Sequence, residues 1–226
     1  MNITQHELRQ RLEALDTPSI ADAMDSLDLY GPLQGIHNQV PGQKTIAGPA
    51  FTVFYRPFER NPGEFHNAGN YIDLVGEGEV IVVDNQGRCD CTVWGDILTE
   101  VALRNRICGT VIYGAARDIG EVQRVGYPLF SAAKFMYSGK NRVRAVDNQI
   151  PIKIGDVTVR PGDWIVADSS GALVIPLAQV EEVVRRAESI ENTEQKIRAS
   201  VRNGMGLEQA RAMHRYDRPW ETAATT

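Results

Sequence analysis

The sequence predicts a layered α/β domain, and three observations carry that prediction. Two short apolar runs, Val80-Ile81-Val82-Val83 and Gly109-Thr110-Val111-Ile112-Tyr113, lack the alternation of a half-solvated strand and read as strands buried on both faces. Short helical patterns alternate with them. The stretch from Val143 to Ile175 is β in character throughout, and one long helical pattern follows it. At 226 residues the chain suits a single domain, read here as 1–203, followed by a C-terminal arm over 204–226.

Element by element, Leu8, Leu12 and Leu15 repeat at helical spacing within a helical stretch from Gln5 to Leu29. Pro18 opens its second helix, Ser19 to Leu27, with Thr17 as the expected N-cap. A Gly/Pro-rich loop runs to Gly42, and Thr45 to Tyr55 is a strand around Gly48-Pro49. Asn67 to Leu74 is weakly helical, and the turn Gly76-Glu77-Gly78 leads into the strand at Val80. That turn lacks the third glycine of a dinucleotide loop and precedes a strand rather than a helix. No glycine-rich loop ending in Gly-Lys-Ser/Thr exists either.

Trp94-Gly95-Asp96 opens a helix from Ile97 to about Arg106. The strand at Gly109 comes next, then a short helix from Ile119 to Arg124 and a strand from Leu129 to Ala132. Hairpin punctuation falls at Ile154-Gly155-Asp156 and at Arg160-Pro161-Gly162-Asp163. Leu177 to Val201 is the long helix, and beyond Gly204 the chain is an arm or short helix.

A net charge of -5 with no basic block argues against nucleic acid as the main partner. Cys89, Cys91 and Cys108 show neither metal-ligand spacing nor an even count, and read as reduced thiols. The N-terminal residues have no apolar core of the signal-peptide kind, and no apolar run approaches a membrane span. The expectation is a soluble cytoplasmic protein with no membrane partner.

The residues that carry chemistry lie at two strand ends. Gly114-Ala115-Ala116-Arg117-Asp118 follows a buried strand and sets a permanent cation beside a carboxylate. Arg117 can clamp a carboxylate with two parallel hydrogen bonds, and Asp118 can hold a hard divalent cation through oxygen. Gly95-Asp96-Ile97-Leu98 opens a helix, where unpaired amides and partial positive charge favour an anion. Here Gly95 admits a ligand close to the backbone, the amides of Ile97 and Leu98 receive a substrate carboxylate, and Asp96 serves as N-cap or holds metal-bound water. Both loops face one crevice if the helix returns the chain to the same sheet. Such a site suits a small 2-oxo acid reacting through an enolate.

In the last helix the apolar stripe Val180, Val183, Ala187, Ile190, Ile197, Val201 places Glu194 on the seam, with Glu191 beside it. A seam carboxylate is costly unless it is paired or near a metal. His6, His37, His66 and His214 are scattered without ligand spacing, His66 lying nearest a functional loop. Lys134 could face the crevice, and Asp163 and Asp168 fit turn chemistry.

These segments resemble the RraA-like family, in particular its class II pyruvate aldolases. The resemblance rests on Thr17-Pro18-Ser19-Ile20-Ala21-Asp22-Ala23, on Pro41-Gly42 through Val53, on Trp94 to Leu98, on Gly114 to Asp118, and on Val157 to Asp168 with Gly171. It implies a swivelling β/β/α sandwich and cleavage of 4-hydroxy-4-methyl-2-oxoglutarate or 4-carboxy-4-hydroxy-2-oxoadipate, often with oxaloacetate decarboxylation. It implies Mg²⁺ or Mn²⁺ at Asp118, enolate stabilisation by Arg117, and carboxylate binding by the amides after Gly95. Asp96 then orients metal-bound water, and Glu194 reaches in from a neighbouring copy of a homotrimer or homohexamer. The chain departs from the pattern in carrying Asp96 where many members have Glu, Ala116 where Val is common, and Ser131-Ala132-Ala133-Lys134-Phe135 after Phe130. The alternative that the resemblance leaves open is a non-catalytic regulator that inhibits an RNA-degrading endonuclease.

Overall fold

The computed structural model describes residues 3–59 and 69–221, so His66 and Asn67 lie outside the described residues. Two helices open the chain. Thr4 caps α1 (Gln5–Glu13) by accepting the Glu7 amide at 3.2 Å. Asp16, not Thr17, caps α2 (Thr17–Asp25), accepting the Ser19 amide at 2.9 Å. Thr17 is drawn elsewhere: its amide and hydroxyl donate to Asp168 at 2.8 and 2.7 Å.

The strands are β1 (His37–Asn38), β2 (Ile46–Pro57) and β3 (Val80–Thr92), after which α3 (Asp96–Arg104) leads to β4 (Gly109–Ala116). Next come α4 (Ile119–Val125), β5 (Leu129–Lys134), β6 (Val143–Asn148), β7 (Ile152–Ile154) and β8 (Val157–Val159). The chain ends with β9 (Trp164–Asp168), β10 (Gly171–Ile175), α5 (Val180–Arg202) and α6 (Leu207–Met213). A single 3₁₀ turn at Asn70–Leu74 replaces the weak helix expected there.

One eight-stranded sheet runs β1-β5-β4-β3-β2-β9-β10, with β6 also on β2, while β7 and β8 form a separate hairpin. The pairs β2–β3, β3–β4 and β4–β5 are parallel and the rest antiparallel. The turn at 160–163 makes no hairpin, because β9 pairs with β2 and β10 rather than with β8.

Alternation along the strands sorts three apolar clusters. Ile81, Val83, Phe51, Val53 and Ile112 face a cluster covered by α3 and α4. Trp164, Val166, Leu173 and Ile175 face α1, α2 and α5. The opposite sides of both sheet halves share a third cluster with Val80, Val82, Val111, Ile165, Ala167 and Val174. The two β layers implied by the resemblance are therefore present, with helices on both outer faces.

The segment before β1 closes the sheet. Leu33 N donates to Ala172 O and Val174 N to Gly31 O, each at 2.9 Å, while β1 pairs with β5 at the far edge. Arg9 ties α1 to the sheet by donating to Ala47 O at 3.1 Å and Gly78 O at 2.7 Å.

Asp163 and Asp168 do more than shape turns. Asp163, 5% exposed, accepts the amides of Arg160 and Leu177 and so anchors the approach to α5. Asp168 accepts from Thr17 twice and from the Ser170 amide, fixing α2 to the β9–β10 turn. Asp168→Ala strands the buried Thr17 donors. Its expected cost is about 2–3 kcal/mol in a denaturant titration, against less than about 1 kcal/mol for exposed Asp156→Ala.

Asp84, 7% exposed at the end of the regular part of β3, accepts the Gln86 amide at 2.7 Å. Burial raises its carboxyl above the usual range, against the pull of backbone amides. A raised folded-state value means that its contribution to stability is complete below the unfolded pKa and fades as pH rises through the folded one. Asp84→Asn keeps the acceptor for Gln86. Relative to the parent it should gain stability at about pH 7 and lose that gain near pH 4, as read from urea midpoints at both pH values.

Candidate active site

The carboxyl ends of β3 and β4 meet where the backbone continues to pair beyond the regular strands. Val93 N donates to Ala115 O at 3.3 Å and Arg117 N to Trp94 O at 3.1 Å. This brings Gly95, at the start of α3, against the Arg117-Asp118 step. A Cβ on Gly95 would lie 2.5 Å from Asp118 Oδ2 and 3.2 Å from Arg117 Nε. Glycine is required here by close approach, since its φ of −162° is ordinary extended backbone.

Beneath this contact Trp94 is fully packed. Its ring stacks on Tyr127 at 5.7 Å, and its Nε1 donates to Thr99 Oγ1 at 3.0 Å. The Thr99 hydroxyl in turn donates to Gly95 O at 3.0 Å. Tyr127 is held through the Thr110 hydroxyl at 2.8 Å. A rigid aromatic layer thus fixes the helix start.

Asp118 sits in the left-handed region at φ 56°, which Asp tolerates better than most residues. Its carbonyl accepts the amides of Glu121 and Val122, opening α4. Its Oδ2 lies 3.3 Å from Arg117 Nε and accepts the Asp96 amide at 3.2 Å. Among the described residues Oδ1 has no partner, and Arg117's terminal amino groups make no hydrogen bond. The pair is about one-third exposed, 32% for Arg117 and 35% for Asp118. A cation with two donor groups that no described residue engages therefore lines the cleft beside a carboxylate held in place.

The cleft has a volume of about 360 Å³. It is lined by Gly95, Asp96, Ile97, Leu98 and Arg117 as the sequence predicts, and also by Asn70, Asp73, Thr92, Ser138 and Lys140. The expected convergence of the two loops is thus observed. The N-cap of α3 is Gly95, and Asp96 occupies the first helical position. Asp96 Oδ1 accepts the Ile97 amide at 2.8 Å, so of the two amides expected to receive a carboxylate only that of Leu98 is uncommitted. The helix start does attract anions, but two of its amides are already answered by the protein's own carboxylates.

Glu194 lies outside this cleft within one chain. The seam of α5 advances from Ile190 to Thr193 and then Ile197, so Thr193 is buried where the spacing pointed to Glu194. A step of three rather than four brings the drift of a 3.6-residue helix back onto the core. Glu194 instead receives Arg198 at 2.8 Å, and Glu191 meets the same guanidinium at 2.7 Å. Lys134 is exposed at the end of β5, opposite Ala116, and does not line the cleft. His214 bonds the Ser200 hydroxyl and His6 the Gln10 amide. Cys89, Cys91 and Cys108 are all free thiols.

No cluster of three or more His, Cys, Asp or Glu suited to a metal exists among the described residues. The hard oxygens without partners among the described residues are Asp96 Oδ2, on a residue lining the cleft, and Asp118 Oδ1, on a residue beside Arg117 that is not itself part of the lining. That set fits a small divalent cation of the Mg²⁺ or Mn²⁺ kind, which commonly takes only one or two carboxylates from the protein and fills the rest with water and substrate.

Lys140, Ser138 and Thr92 escaped sequence reasoning because a backbone bridge brings them in. Thr92 N donates to Tyr137 O at 2.9 Å and Gly139 N to Thr92 O at 2.8 Å. Gly139, where a Cβ would lie 2.6 Å from Thr92 O, was the available signal.

Fold and cleft together define an α/β protein with an open cleft at the carboxyl ends of adjacent parallel strands. The chain belongs to the RraA-like family: the profile described as Aldolase/RraA matches residues 17–174. It is 30% identical over 179 residues to a protein of Halalkalibacterium halodurans named "Putative 4-hydroxy-4-methyl-2-oxoglutarate aldolase", covering 78% of this chain and 80% of that one. It is 46% identical to Protein DlpA of Legionella pneumophila over 96% of this chain, and spans only 35% of DlpA's length. Among solved structures, an uncharacterized protein of Pseudomonas syringae pv. tomato superposes with a TM-score of 0.85 at 48% identity, covering 93% of this chain and 99% of that one. Streptomyces coelicolor RraAS2, described as an unusual member of the RNase ES inhibitor RraA protein family, superposes at 0.78 with 26% identity, covering 85% and 97%.

Gly95→Ala forces the Cβ into the Asp118 carboxylate. The expected result is a loss of ligand binding or turnover of at least about tenfold while the free energy of unfolding changes by less than about 1 kcal/mol, because the damage is confined to the cleft. Circular dichroism melts beside ligand titration check both halves.

Proposed function

We propose that the chain is a divalent-metal-dependent carbon–carbon lyase that cleaves or decarboxylates a small 2-oxo acid through a pyruvate enolate. The substrate class that fits best is 4-hydroxy-4-methyl-2-oxoglutarate, with oxaloacetate as a decarboxylation substrate. The observation that carries this reading is the Arg117 guanidinium, its terminal amino groups uncommitted, locked beside Asp118 at an open cleft. The 30% identity to a protein bearing an aldolase name supports the same reading.

In this mechanism the Leu98 amide and Arg117 hold the 2-oxo acid by its carboxylate and keto oxygen. As the bond between C3 and C4 breaks, the C4 hydroxyl of the aldol substrate gives its proton to water and C4 leaves as the carbonyl of a second pyruvate. From oxaloacetate, C4 leaves as CO₂. The electron pair of the broken bond moves into the enolate, and the guanidinium counters the charge gathering on the keto oxygen. Asp118 Oδ1, with Asp96 Oδ2 on the adjoining helix start, would hold a divalent cation, which when bound would supply Lewis-acid polarisation of that same oxygen. Asp96 also orients a water that returns a proton to C3, giving pyruvate. The proposal includes a homotrimer or homohexamer in which Glu194 of the partner subunit completes the cleft, which requires Glu194 to exchange Arg198 for that site.

The likeness to RraAS2 keeps a second reading in view, a regulator that binds an RNase. Pyruvate release separates the two. With Mg²⁺, pyruvate should form from 4-hydroxy-4-methyl-2-oxoglutarate or oxaloacetate, and a chelator should abolish it. Arg117→Ala and Asp118→Ala should each lower kcat/KM by about 10²–10⁴, or roughly 3–5 kcal/mol of transition-state stabilisation. Full chelator-sensitive turnover by Asp118→Ala would sink the mechanism, and tight RNase capture without any lyase activity would favour the regulator.

A further inference from the structure

A second cation stands on the cleft and is unused by the mechanism above. Lys140 lines the same cleft as Arg117, on the turn that follows β5, and takes part in no ion pair or side-chain hydrogen bond among the described residues. Its side chain is free but its backbone is not. The turn is bound to Thr92 by Thr92 N to Tyr137 O, Gly139 N to Thr92 O, and the Thr92 hydroxyl to Tyr137 O at 3.0 Å. Ser138 Oγ accepts the Lys140 amide at 3.1 Å. Arg142 Nη1 donates to Ser138 O at 3.0 Å, with its guanidinium over the Tyr137 ring at 5.0 Å. These bonds fix the backbone of Lys140 at the rim of the cleft, from which its exposed side chain can reach a ligand held there.

The cleft that both cations line also carries apolar residues, Ile72, Leu98 and Val101, beside the carboxylates of Asp73 and Asp96. A ligand that satisfies both ends is an acid at Arg117, a short carbon segment against those apolar residues, and a second acid within reach of Lys140. We infer that Lys140 is a specificity-determining residue that selects 2-oxo acids bearing a second, distal carboxylate over those ending in an alkyl group. This rests on the reading of the cleft as a 2-oxo acid site. It goes further by assigning the distal group to Lys140, a residue outside the Arg117–Asp118 machinery. One charge-assisted hydrogen bond at a partly exposed rim corresponds to about 1.5–3 kcal/mol, or roughly a 10- to 100-fold preference in Kd.

The test uses two non-cleavable probes of equal chain length, 2-oxoglutarate and 2-oxopentanoate, titrated calorimetrically into the full chain with Mg²⁺ present. The parent should bind 2-oxoglutarate about 10- to 100-fold more tightly. Lys140→Met, which keeps an unbranched apolar stem at an exposed position, should bring the two affinities together while leaving that for 2-oxopentanoate unchanged. Lys140→Arg should retain most of the preference. A parent that binds both probes equally, or a Lys140→Met protein that keeps the preference, overturns the inference and leaves the 2-oxo acid reading intact. A parent that binds neither probe overturns that reading and the inference with it.

Discussion

β2 is hydrogen-bonded on both sides, to β3 and to β9 and β6, and it is the strand that joins the two halves of the large sheet. Its first residues, Ile46 to Pro49, pair with β9, and from Ala50 onward it pairs with β3 and then also with β6. One continuous strand therefore joins an antiparallel half to a parallel half. A slip of one residue along it would exchange the faces of both halves together. Two small residues make the hand-over possible. A side chain on Gly48 would collide with the Gly78 carbonyl, and Pro49 sits where the partner strand changes, so its missing N–H breaks no ladder. The adjacent Ala50 amide bonds Asp163 O at 2.8 Å, outside β9 itself.

From that register the site follows. Placing β3 and β4 parallel and adjacent puts their carboxyl ends side by side, and the backbone pairs from Val93 to Arg117 extend the contact past the last regular residues. The helix start at Gly95 can then approach Asp118 closely, and the stacked Trp94 and Tyr127 rings prevent it from drifting. Here the charges are left partly open rather than closed on one another. Asp118 is held at a left-handed backbone position, Arg117 leaves its terminal donors open, and Asp96 turns its bound oxygen to its neighbour's amide. Elsewhere the chain closes its polar groups fully, as at Asp163 and Asp168. Among the described residues the Tyr55 and Tyr71 hydroxyls and the Asn85 amide are an exception, buried without a hydrogen-bond partner.

The C-terminal segments extend the fold beyond the family match, which ends at residue 174. α5 lays Val180, Val183, Val184, Ala187 and Ile190 against α1, α2 and the β9–β10 half, and α6 turns back to bury Ala210 on it. Trp220 then covers Arg186 at 5.2 Å, whose guanidinium also reaches Ser26 O at 2.9 Å. The arm is thus tied to the opening helices, and the buried face of α5 belongs to the same apolar cluster as the sheet.

Local signals in the sequence determined a good deal. Continuous apolar runs at Val80 and Gly109, the glycine at 95, and the Arg117-Asp118 step after small residues are short-range features, and each appears in the structure where expected. Periodicity also located α5, but not its face. A stripe read in steps of three and four chose Glu194, whereas the packed helix chose Thr193 and left Glu194 to Arg198, because small rotational drift is settled by the surface it packs on. Caps failed in the same way: Asp16 and Gly95 displaced Thr17 and Asp96, since the competing partners, Asp168 and Asp118, come from distant parts of the chain. Lys140 was invisible because nothing local ties it to Arg117. Only the bridge from Thr92 to Gly139, formed when β3 and the turn after β5 come together, carries it to the cleft. Residue chemistry and short-range pattern determined the elements and the Arg–Asp pair. Which groups meet across the cleft was decided by long-range backbone pairing, which no local spacing encodes.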